Sequence, residues 1–199
     1  MSEGAVTMIT RRSGLTSTQT SPQQWARGML VPGRAAVLDV ESTDLDGSII
    51  EICVLDAATG NPLLDTLVDP GDVPIHPDAY AVHGIVPADL IGAPGWSTVH
   101  KQLLAVTAGR VTLSYHSQFD QGRVLHDCAR HGLDPAHLAD PEMWGCIMRM
   151  RSQAEGIEKS IRLDGGHRAR SDAAAARTVL LSIAEGPSVP TTPTSHSRL

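Results

Sequence analysis

The chain has few of the residues that mark secreted disulfide proteins or membrane proteins. Only three cysteines occur among its 199 residues, at Cys53, Cys128 and Cys146, and no CxxC pair is present. An odd and scattered set of cysteines argues against a disulfide framework and is typical of a reducing compartment, so we expect a cytoplasmic protein. No apolar run approaches the roughly 18 residues that span a membrane, and no apolar segment follows Arg11 and Arg12 as it would in a signal peptide.

Aromatic residues and lysines are also scarce. Aromatics make up 3% of the chain, so Val, Leu, Ile and Ala must supply most of the 41% hydrophobic content. The formal net charge of −6 argues against a protein that coats nucleic acid through bulk positive charge, but not against an enzyme that binds phosphates through metal ions. Residues 149–170 hold six basic and three acidic residues, a net +3. This stretch is as consistent with a solvated face as with a phosphate-facing rim.

Composition divides the chain into one domain and two tails. Residues 1–33 are rich in Ser, Thr, Gln and Gly without sustained periodicity and predict a disordered N-terminal tail. The Pro/Ser/Thr-rich residues 187–199 predict a second tail. The remaining residues 34–186 are long enough to form one self-sufficient domain.

Hydrophobic patterns in this domain predict a three-stranded meander followed by helices that alternate with strands. Such an order is typical of a mixed sheet flanked by helices. The predicted strands cover residues 35–43, 48–56, 63–68 and 110–115. The predicted helices cover residues 87–90, 97–106, 119–131, 142–154 and 171–184.

Two carboxylates share one face of the first predicted strand. Because residues two apart in a strand point the same way, Asp39 and Glu41 are neighbours. At about 4 Å and an effective dielectric constant near 20, their repulsion is on the order of 4 kcal/mol. A cation between them would remove that cost, whereas a solvent-facing edge strand would tolerate both acids without one. The pair alone leaves both interpretations open.

Two further acids stand at the starts of predicted helices. Asp172 heads an apolar stripe that continues to Ile183, where a lone carboxylate would be costly, although the helix dipole also favours an acid in a first turn. Asp120 begins the helix after the fourth predicted strand. His167 precedes Asp172 by five residues and follows a Gly-Gly pair, so a loop could return it toward that carboxylate.

Three short motifs contain these acidic residues and His167. They are DVESTDL at residues 39–45, SYHSQFD at residues 114–120 and HRARSDA at residues 167–173. Together and in this order, they resemble the motifs of DnaQ-like exonucleases of the DEDDh type. LVDPG at residues 67–71 and VHGI at residues 82–85 resemble connecting elements of the same family. The resemblance spans about residues 35–185.

The resemblance implies a ribonuclease H-like α/β fold, with a mixed five-stranded sheet of three antiparallel strands and then parallel strands. It also implies a metal-dependent 3′→5′ exonuclease that hydrolyses phosphodiester bonds at the 3′ end of single-stranded or frayed DNA, as in proofreading, and releases nucleoside monophosphates. Oxygen-only carboxylate ligands suit Mg²⁺ or Mn²⁺. Two such ions about 3.5–4 Å apart neutralise charge, align the nucleophile and stabilise the leaving group.

The same resemblance implies a role for each residue of the site. Asp39 is expected to bridge both ions, and Glu41 and Asp172 to complete the shell of the first. Asp120 is expected to hold the second ion, partly through water. His167 is expected to be the general base that takes a proton from the attacking water.

Further residues are implied to contact the terminal nucleotide. They are Ser42, Thr43, Leu45, His83, His116 and Phe119. The main chain at residues 42–43 would meet the 3′-hydroxyl, and Leu45 would wedge beside the last base. This chain departs from the family's usual pattern at His116, where Asn is common, and at Asp44, where Gly is common.

Other functions fit parts of the sequence. An RNA exonuclease resembling ribonuclease T or oligoribonuclease would carry the same motifs, because they do not settle the sugar. A non-catalytic nucleic-acid-binding module could share the fold. A zinc site could use His126, Cys128, His131 and His137, although their spacing is irregular for zinc. The tails could dock a polymerase or another replication protein, but they carry no motif for it.

Overall fold

The computed structural model describes residues 20–186. Its centre is a five-stranded sheet in the order β3-β2-β1-β4-β5. The strands are β1 (Ala35–Ser42), β2 (Ile49–Asp56), β3 (Pro62–Leu67), β4 (Val111–Ser114) and β5 (Trp144–Cys146). The first three pair antiparallel, whereas β4 runs parallel to β1 and β5 parallel to β4. The predicted arrangement of the sheet is confirmed.

Helices cover both faces of this sheet. They are α1 (Pro22–Met29), α2 (Pro77–His83), α3 (Trp96–Thr107), α4 (Ser117–Arg130), α5 (Ile147–Glu155) and α6 (Ala169–Glu185), with 3₁₀ turns at Pro87–Leu90, Ala136–Ala139 and Pro141–Met143. Among the residues described, no helix combines the length and apolarity that crossing a membrane requires.

The prediction of a disordered N-terminal tail over residues 1–33 is wrong for Pro22–Met29, which form α1. Ser21 and Gln24 make a reciprocal capping box, in which each side chain accepts a hydrogen bond from the main-chain N–H of the other. Ala26 is fully buried, and Arg27 Nε donates to the carbonyl of Ala184 at 2.8 Å. Between residues 20 and 29, the polar residues therefore serve as a helix cap and as the solvent-facing side of α1. Residues 1–19 and the predicted tail at 187–199 lie outside the described residues.

The prediction of a helix over residues 142–154 is wrong for residues 142–146. Trp144–Cys146 form β5, and the helix begins only at Ile147. Gly145 pairs with Leu113 of β4, and a Cβ at this glycine would lie 2.6 Å from Leu113 Cδ2. This close approach explains the glycine, and pairing with a distant strand overrides the local helical pattern.

Alternation along β1 brings acidic residues to one face. The even-numbered Ala36, Leu38 and Val40 pack in a core with α3 and α4. The odd-numbered Ala35 and Val37 pack in a second core with α6. Residues 39 and 41 continue the odd-numbered row, so they point toward the α6 face at the carboxyl end of the strand.

Candidate active site

Three carboxylates converge where β1 ends and α6 begins. Asp39, Glu41 and Asp172 each offer a potential ligand atom, and these atoms all lie within 4.8 Å of one another. All three residues are partly buried. The strand row and the first helical turn thus bring together acids that are distant in sequence.

The fourth predicted acid, Asp120, lies in the first turn of α4. It is outside the group of three within 4.8 Å. Its charge is nevertheless the strongest of the neighbouring charges that act on Asp39. Asp120 is only 3% exposed, and its Oδ2 accepts a hydrogen bond from Ser114 Oγ at 2.8 Å, at the end of β4.

Burial and mutual repulsion disfavour ionisation of these acids. Burial, followed by the charge of Asp120, holds the pKa of Asp39 well above its usual range. Burial, with the charges of Asp172 and Glu51, raises the pKa of Glu41 to about 8. Burial also raises the pKa of Asp120 to about 7. Alone, the cluster retains protons near neutral pH, and a divalent cation would favour their release.

This donor set fits a hard divalent cation. All the grouped ligand atoms are carboxylate oxygens, which Mg²⁺ and Mn²⁺ prefer. Within residues 20–186, no other group of three or more His, Cys, Asp or Glu side chains could share a metal ion. The alternative zinc site does not form, because Cys128 is buried in the core and His137 Nε2 is hydrogen-bonded to Thr107 Oγ1 at 2.8 Å.

The loop before α6 closes around Asp172. Its Oδ1 accepts hydrogen bonds from the N–H groups of Gly166 at 2.8 Å and His167 at 3.0 Å, and from the Ser171 hydroxyl at 3.1 Å. A Cβ at Gly165 would collide with the same oxygen. With Oδ1 so occupied, Oδ2 is the oxygen available to a cation.

His167 is joined to the cluster by its main chain. Its φ of +54° is a left-handed conformation, which for a residue other than glycine costs about 1–3 kcal/mol and is frequent at functional sites. Its N–H bond to Asp172 helps to hold this conformation. The side chain is partly exposed, and its role as general base stays a prediction.

An ion pair that the motifs do not reveal lies beside the cluster. Glu51 of β2 is opposite Glu41 in the β1–β2 ladder and is 7% exposed. Arg168 donates to both carboxylate oxygens of Glu51, at 2.9 and 2.6 Å. The one sequence signal is that Glu51 is an acid in the middle of the apolar strand IIEICVLD.

A cavity of about 370 Å³ opens beside Glu41. Its walls include four of the six predicted substrate-binding residues, namely Ser42, Leu45, His83 and Phe119. The Leu45 side chain is 76% exposed. The lining combines the apolar side chains of Leu45, Val82 and Phe119 with the carboxylates of Glu41, Asp44 and Asp78.

His83 lines this cavity, and its ring carries one buried hydrogen-bond donor. Its Nδ1 accepts from the N–H of Ile85 at 3.0 Å, which leaves the proton of the neutral ring on Nε2. Burial lowers the pKa of His83, although a hydrogen bond to the main chain of Ser42 opposes the shift. Nε2 is buried, and its contact with Ser42 falls short of good hydrogen-bond geometry.

Thr43 and His116 lie outside the walls of this cavity. Thr43 is fully buried, its Oγ1 accepts from the N–H of Ser48 at 2.9 Å, and its carbonyl accepts from His76 at 2.8 Å. Through these two hydrogen bonds, Thr43 stabilises the conformation of the β1–β2 loop. His116 is the exposed N-cap residue of α4. Contacts of either residue with a nucleotide stay predictions.

Helix α4 braces the loop that carries Leu45. Arg123 Nη1 donates to the carbonyl of Gly47 at 2.9 Å, and Asp127 Oδ2 accepts from the N–H of Ile49 at 2.7 Å. Asp44, the departure noted in the first motif, accepts the N–H of Leu45 on its Oδ1 at 2.7 Å. The loop is thus held by the helix that bears Asp120.

Sheet order, helix placement and the acidic cluster together define an exonuclease of the DnaQ-like class. A family model described as RNase T exonuclease matches residues 36–180, and the chain belongs to that family. The matched range includes every predicted catalytic residue from Asp39 to Asp172.

A phage protein is similar to part of this chain. The uncharacterized exonuclease CP81 of Escherichia phage 186 is 32% identical over 99 residues, which are 49% of this chain and 50% of that protein. The match thus spans about half the length of this curated relative.

Solved structures share the fold. Escherichia coli exonuclease I in complex with a dA13 oligonucleotide has a TM-score of 0.59 at 17% identity, covering 74% of this chain and 40% of that one. The nuclease domain of 3′hExo, a DEDDh family member bound to rAMP, has a TM-score of 0.52 at 14% identity, covering 73% and 88%. The predicted ribonuclease H-like fold is confirmed.

Proposed function

We propose that this protein is a metal-dependent 3′→5′ exonuclease that shortens single-stranded or frayed DNA from its 3′ end. The observation that carries the proposal is the convergence of carboxylate oxygens from Asp39, Glu41 and Asp172 within 4.8 Å, beside a cavity of nucleotide size. Membership of the exonuclease family supports the reaction class. The 3′→5′ direction is inferred from the resemblance of the three motifs to those of DnaQ-like exonucleases.

The proposed cofactor is Mg²⁺ or Mn²⁺, with two ions per site. Asp39, Glu41 and Asp172 would hold one ion, and Asp39 and Asp120 the other. When bound, the ions supply charge neutralisation, orientation of the nucleophile and stabilisation of the leaving oxygen. The raised pKa values of Asp39, Glu41 and Asp120 support this assignment, because they show negative charge that the protein itself does not neutralise.

The cavity residues would orient the terminal nucleotide. Leu45 and Phe119 offer apolar surface to the base and sugar, and the Arg123 guanidinium lies 5.9 Å from the centre of the Phe119 ring. On substrate binding, the buried Nε2–H of His83 would turn from the main chain of Ser42 to an oxygen of the substrate. Binding would place the last phosphodiester near Glu41.

His167 would act as the general base of the hydrolysis. Its imidazole takes a proton from water as the water oxygen attacks phosphorus, and the bond from phosphorus to the 3′-oxygen of the penultimate nucleotide breaks. That oxygen takes a proton from solvent and becomes the new 3′-hydroxyl. The product is a nucleoside 5′-monophosphate.

An RNA exonuclease is the second candidate. Among the structural neighbours, exonuclease I is in complex with DNA and the 3′hExo nuclease domain is bound to rAMP. The fold therefore serves both sugars, and the walls of this cavity do not select one.

Polarity and sugar can be tested in one digestion series. Matched DNA and RNA oligomers, labelled at the 5′ or the 3′ end and free or blocked at the 3′ end, are incubated with and without Mg²⁺. We expect a descending ladder from 5′-labelled DNA, immediate mononucleotide from 3′-labelled DNA, and no cleavage of blocked ends. Release of 5′-labelled mononucleotide first would overturn the polarity, and degradation of RNA alone would favour the second candidate.

Two wider expectations remain proposals. The cysteines Cys53, Cys128 and Cys146 are free thiols, which supports a cytoplasmic location. Association with a polymerase or another replication protein is proposed from the resemblance to proofreading exonucleases.

A further inference from the structure

We infer that the ion pair of Glu51 and Arg168 is a positioning device that fixes the loop carrying His167 and Asp172 against the sheet. The inference rests on the proposed function, since it assigns Glu51 and Arg168 to the support of that reaction. Neither residue is assigned to metal or substrate. Their contribution would be to the geometry of the groups that are.

The contact between the two residues is a three-point anchor. Glu51 Oε2 accepts from Arg168 Nε at 2.9 Å and from the N–H of Ala169 at 2.9 Å, and Oε1 accepts from Arg168 Nη2 at 2.6 Å. A bidentate guanidinium contact to a buried carboxylate fixes direction as well as distance. The main-chain donor is the first residue of α6, so the helix start is tied directly to β2.

The anchored residue lies between the two functional groups of the loop. His167 immediately precedes Arg168, and Asp172 lies one helical turn after it. The carbonyl of Arg168 accepts from the N–H of Asp172 at 3.0 Å and from the Ser171 hydroxyl at 2.9 Å. Moving the main chain of Arg168 would therefore move His167 and Asp172 together.

Strain in the loop makes an external anchor necessary. The left-handed φ of His167 is unfavourable for a residue with a side chain and persists only where surrounding contacts hold it. Asp172 supplies contacts from within the loop, through Gly166 and His167. Glu51 supplies the contact from the sheet, and both of its carboxylate oxygens accept hydrogen bonds from Arg168 or Ala169.

That saturation distinguishes Glu51 from a further metal ligand. Glu51 lies across the ladder from Glu41, on the same face of the sheet as the cluster. Three donors already occupy its carboxylate, and its charge is balanced by Arg168. Loss of Glu51 should thus disturb the alignment of the catalytic groups more than the binding of the metal.

The chain offers a matched control on the same helix. Arg170 Nη1 contacts Asp65 Oδ2 of β3 at 2.8 Å. This pair also joins the start of α6 to the sheet, and its arginine is exposed to a similar degree, 64% against 49% for Arg168. Its carboxylate is the more exposed of the two, 28% for Asp65 against 9% for Glu51. Because exposed pairs contribute little, substitutions at Asp65 or Arg170 report the effect of losing an ordinary tether.

The test set consists of Glu51→Gln, Arg168→Met and the double variant that combines them. The control set consists of Asp65→Asn, Arg170→Met and the double variant that combines those two. The kcat, KM and Mg²⁺ concentration for half-maximal rate are measured on a 3′-labelled single strand, well below each Tm. We expect Glu51→Gln and Arg168→Met each to lower kcat at saturating Mg²⁺ by about 10- to 100-fold, with KM changed less than about threefold. The Mg²⁺ requirement should rise by no more than about tenfold, because Asp172 moves with the loop while Asp39 and Glu41 stay in place. The double variant should be no worse than the poorer single variant. The control variants should stay within about twofold of wild type.

A milder variant covers the case in which Arg168→Met fails to fold. Arg168→Lys keeps the charge but loses the two-point contact, so we expect an intermediate kcat at nearly unchanged Tm. Full activity of Arg168→Lys, or kcat losses no larger than those of the control pair, would overturn the inference. Recovery of the lost rate by excess Mg²⁺ would also overturn it, because that result assigns the pair to metal binding.

Failure of the inference can be separated from failure of the proposed function. Wild-type protein and Asp39→Asn are assayed in the same series. An inactive wild type would remove both proposals. An active wild type, an inactive Asp39→Asn and a fully active Arg168→Met would remove only the positioning role of the pair.

Discussion

Asp39, Glu41 and Asp120 are placed where ionisation is difficult without a cation. Asp39 continues a strand row whose earlier members are core residues, and Asp120 is almost completely buried beside Ser114. Close carboxylates on one strand face repel by kilocalories per mole. Divalent cations bound between these carboxylates would offset the repulsion, which the metal-free protein leaves uncompensated.

At residue scale, replacing the proposed base should separate catalysis from metal binding. We expect His167→Gln to lower kcat by about 10²- to 10⁴-fold, because its imidazole would no longer take the proton of the attacking water. The Mg²⁺ affinity measured by titration calorimetry should change little, since Asp39, Glu41 and Asp172 remain. Loss of metal binding in this variant would instead make His167 a ligand.

A glycine provides the second residue-scale test. Gly165→Ala introduces a Cβ that collides with Asp172 Oδ1. We expect the Mg²⁺ concentration for half-maximal rate to rise about tenfold, on the order of 1.4 kcal/mol, because this metal ligand is displaced. Gly122→Ala in α4 is the matched control, since nothing lies within 4 Å of its added Cβ. Equal Mg²⁺ requirements in the two variants would contradict the proposed role of the loop.

The predictability of the site differs from residue to residue. Asp39 and Glu41 could be paired from sequence because strand geometry alone makes neighbours of residues two apart. Asp172 could be added because the motifs occur in a recognisable order. Glu51 could not be found, because its partner Arg168 lies 117 residues away and nothing local distinguishes it from an edge-strand acid.

Among the elements, β1 and α6 build the site and α1 supports it from behind. The odd-numbered face of β1 meets α6, and α1 packs on the same core through the buried Ala26. Arg27 adds a hydrogen bond to the carbonyl of Ala184 near the end of α6. The position of Asp172 therefore depends on a helix whose sequence resembles a polar tail.

At element scale, the packing of α1 can be tested with a buried charge. Ala26→Asp places a carboxylate in the core, whereas Ala174→Asp places the same group on the exposed face of α6. We expect the first to lower Tm by at least about 6 °C, because burying an unpaired charge costs several kcal/mol. The second should shift Tm by about 2 °C at most. Equal thermal melts would show that α1 does not belong to the folded unit.

Element prediction succeeded where apolar or Ala-rich runs are long and failed where partners are distant. The apolar strands β1 and β2 and the Ala-rich α6 were predicted within about two residues of their ends. The strand β5 was missed because three residues are too few for a pattern and Gly145 is explained only by its contact with Leu113. Helix α1 was missed because its buried face is narrow.

For the molecule as a whole, the net charge of −6 and the unbalanced carboxylates make stability depend on pH and metal together. In the metal-free protein the pKa of Glu41 is raised to about 8 and that of Asp120 to about 7. A carboxyl whose pKa is raised by folding stabilises the fold below its unfolded pKa, and that contribution is lost as pH rises through the folded pKa. The relevant window runs from about pH 4 to about pH 8.

Differential scanning calorimetry at pH 5.5 and pH 8.5 checks this linkage. Without metal, we expect the cluster to favour the fold more at pH 5.5 than at pH 8.5. Mg²⁺ binds the ionised carboxylates, so the rise in Tm that it causes should be larger at pH 8.5 by about 4 °C or more. In Asp39→Asn this extra rise should disappear. A rise in Tm that is equal at both pH values would contradict the assigned protonation.

The central claim is that the carboxylates of Asp39, Glu41, Asp120 and Asp172 form one cation-dependent hydrolytic site. Its most direct measurement is the rate at which wild type and Asp39→Asn release mononucleotide from a 3′-labelled DNA strand, in saturating Mg²⁺ and in EDTA. We expect release by the wild type in Mg²⁺ alone, and a rate at least about a thousandfold lower for a correctly folded Asp39→Asn. Undiminished release by Asp39→Asn, or by the wild type in EDTA, would contradict the claim.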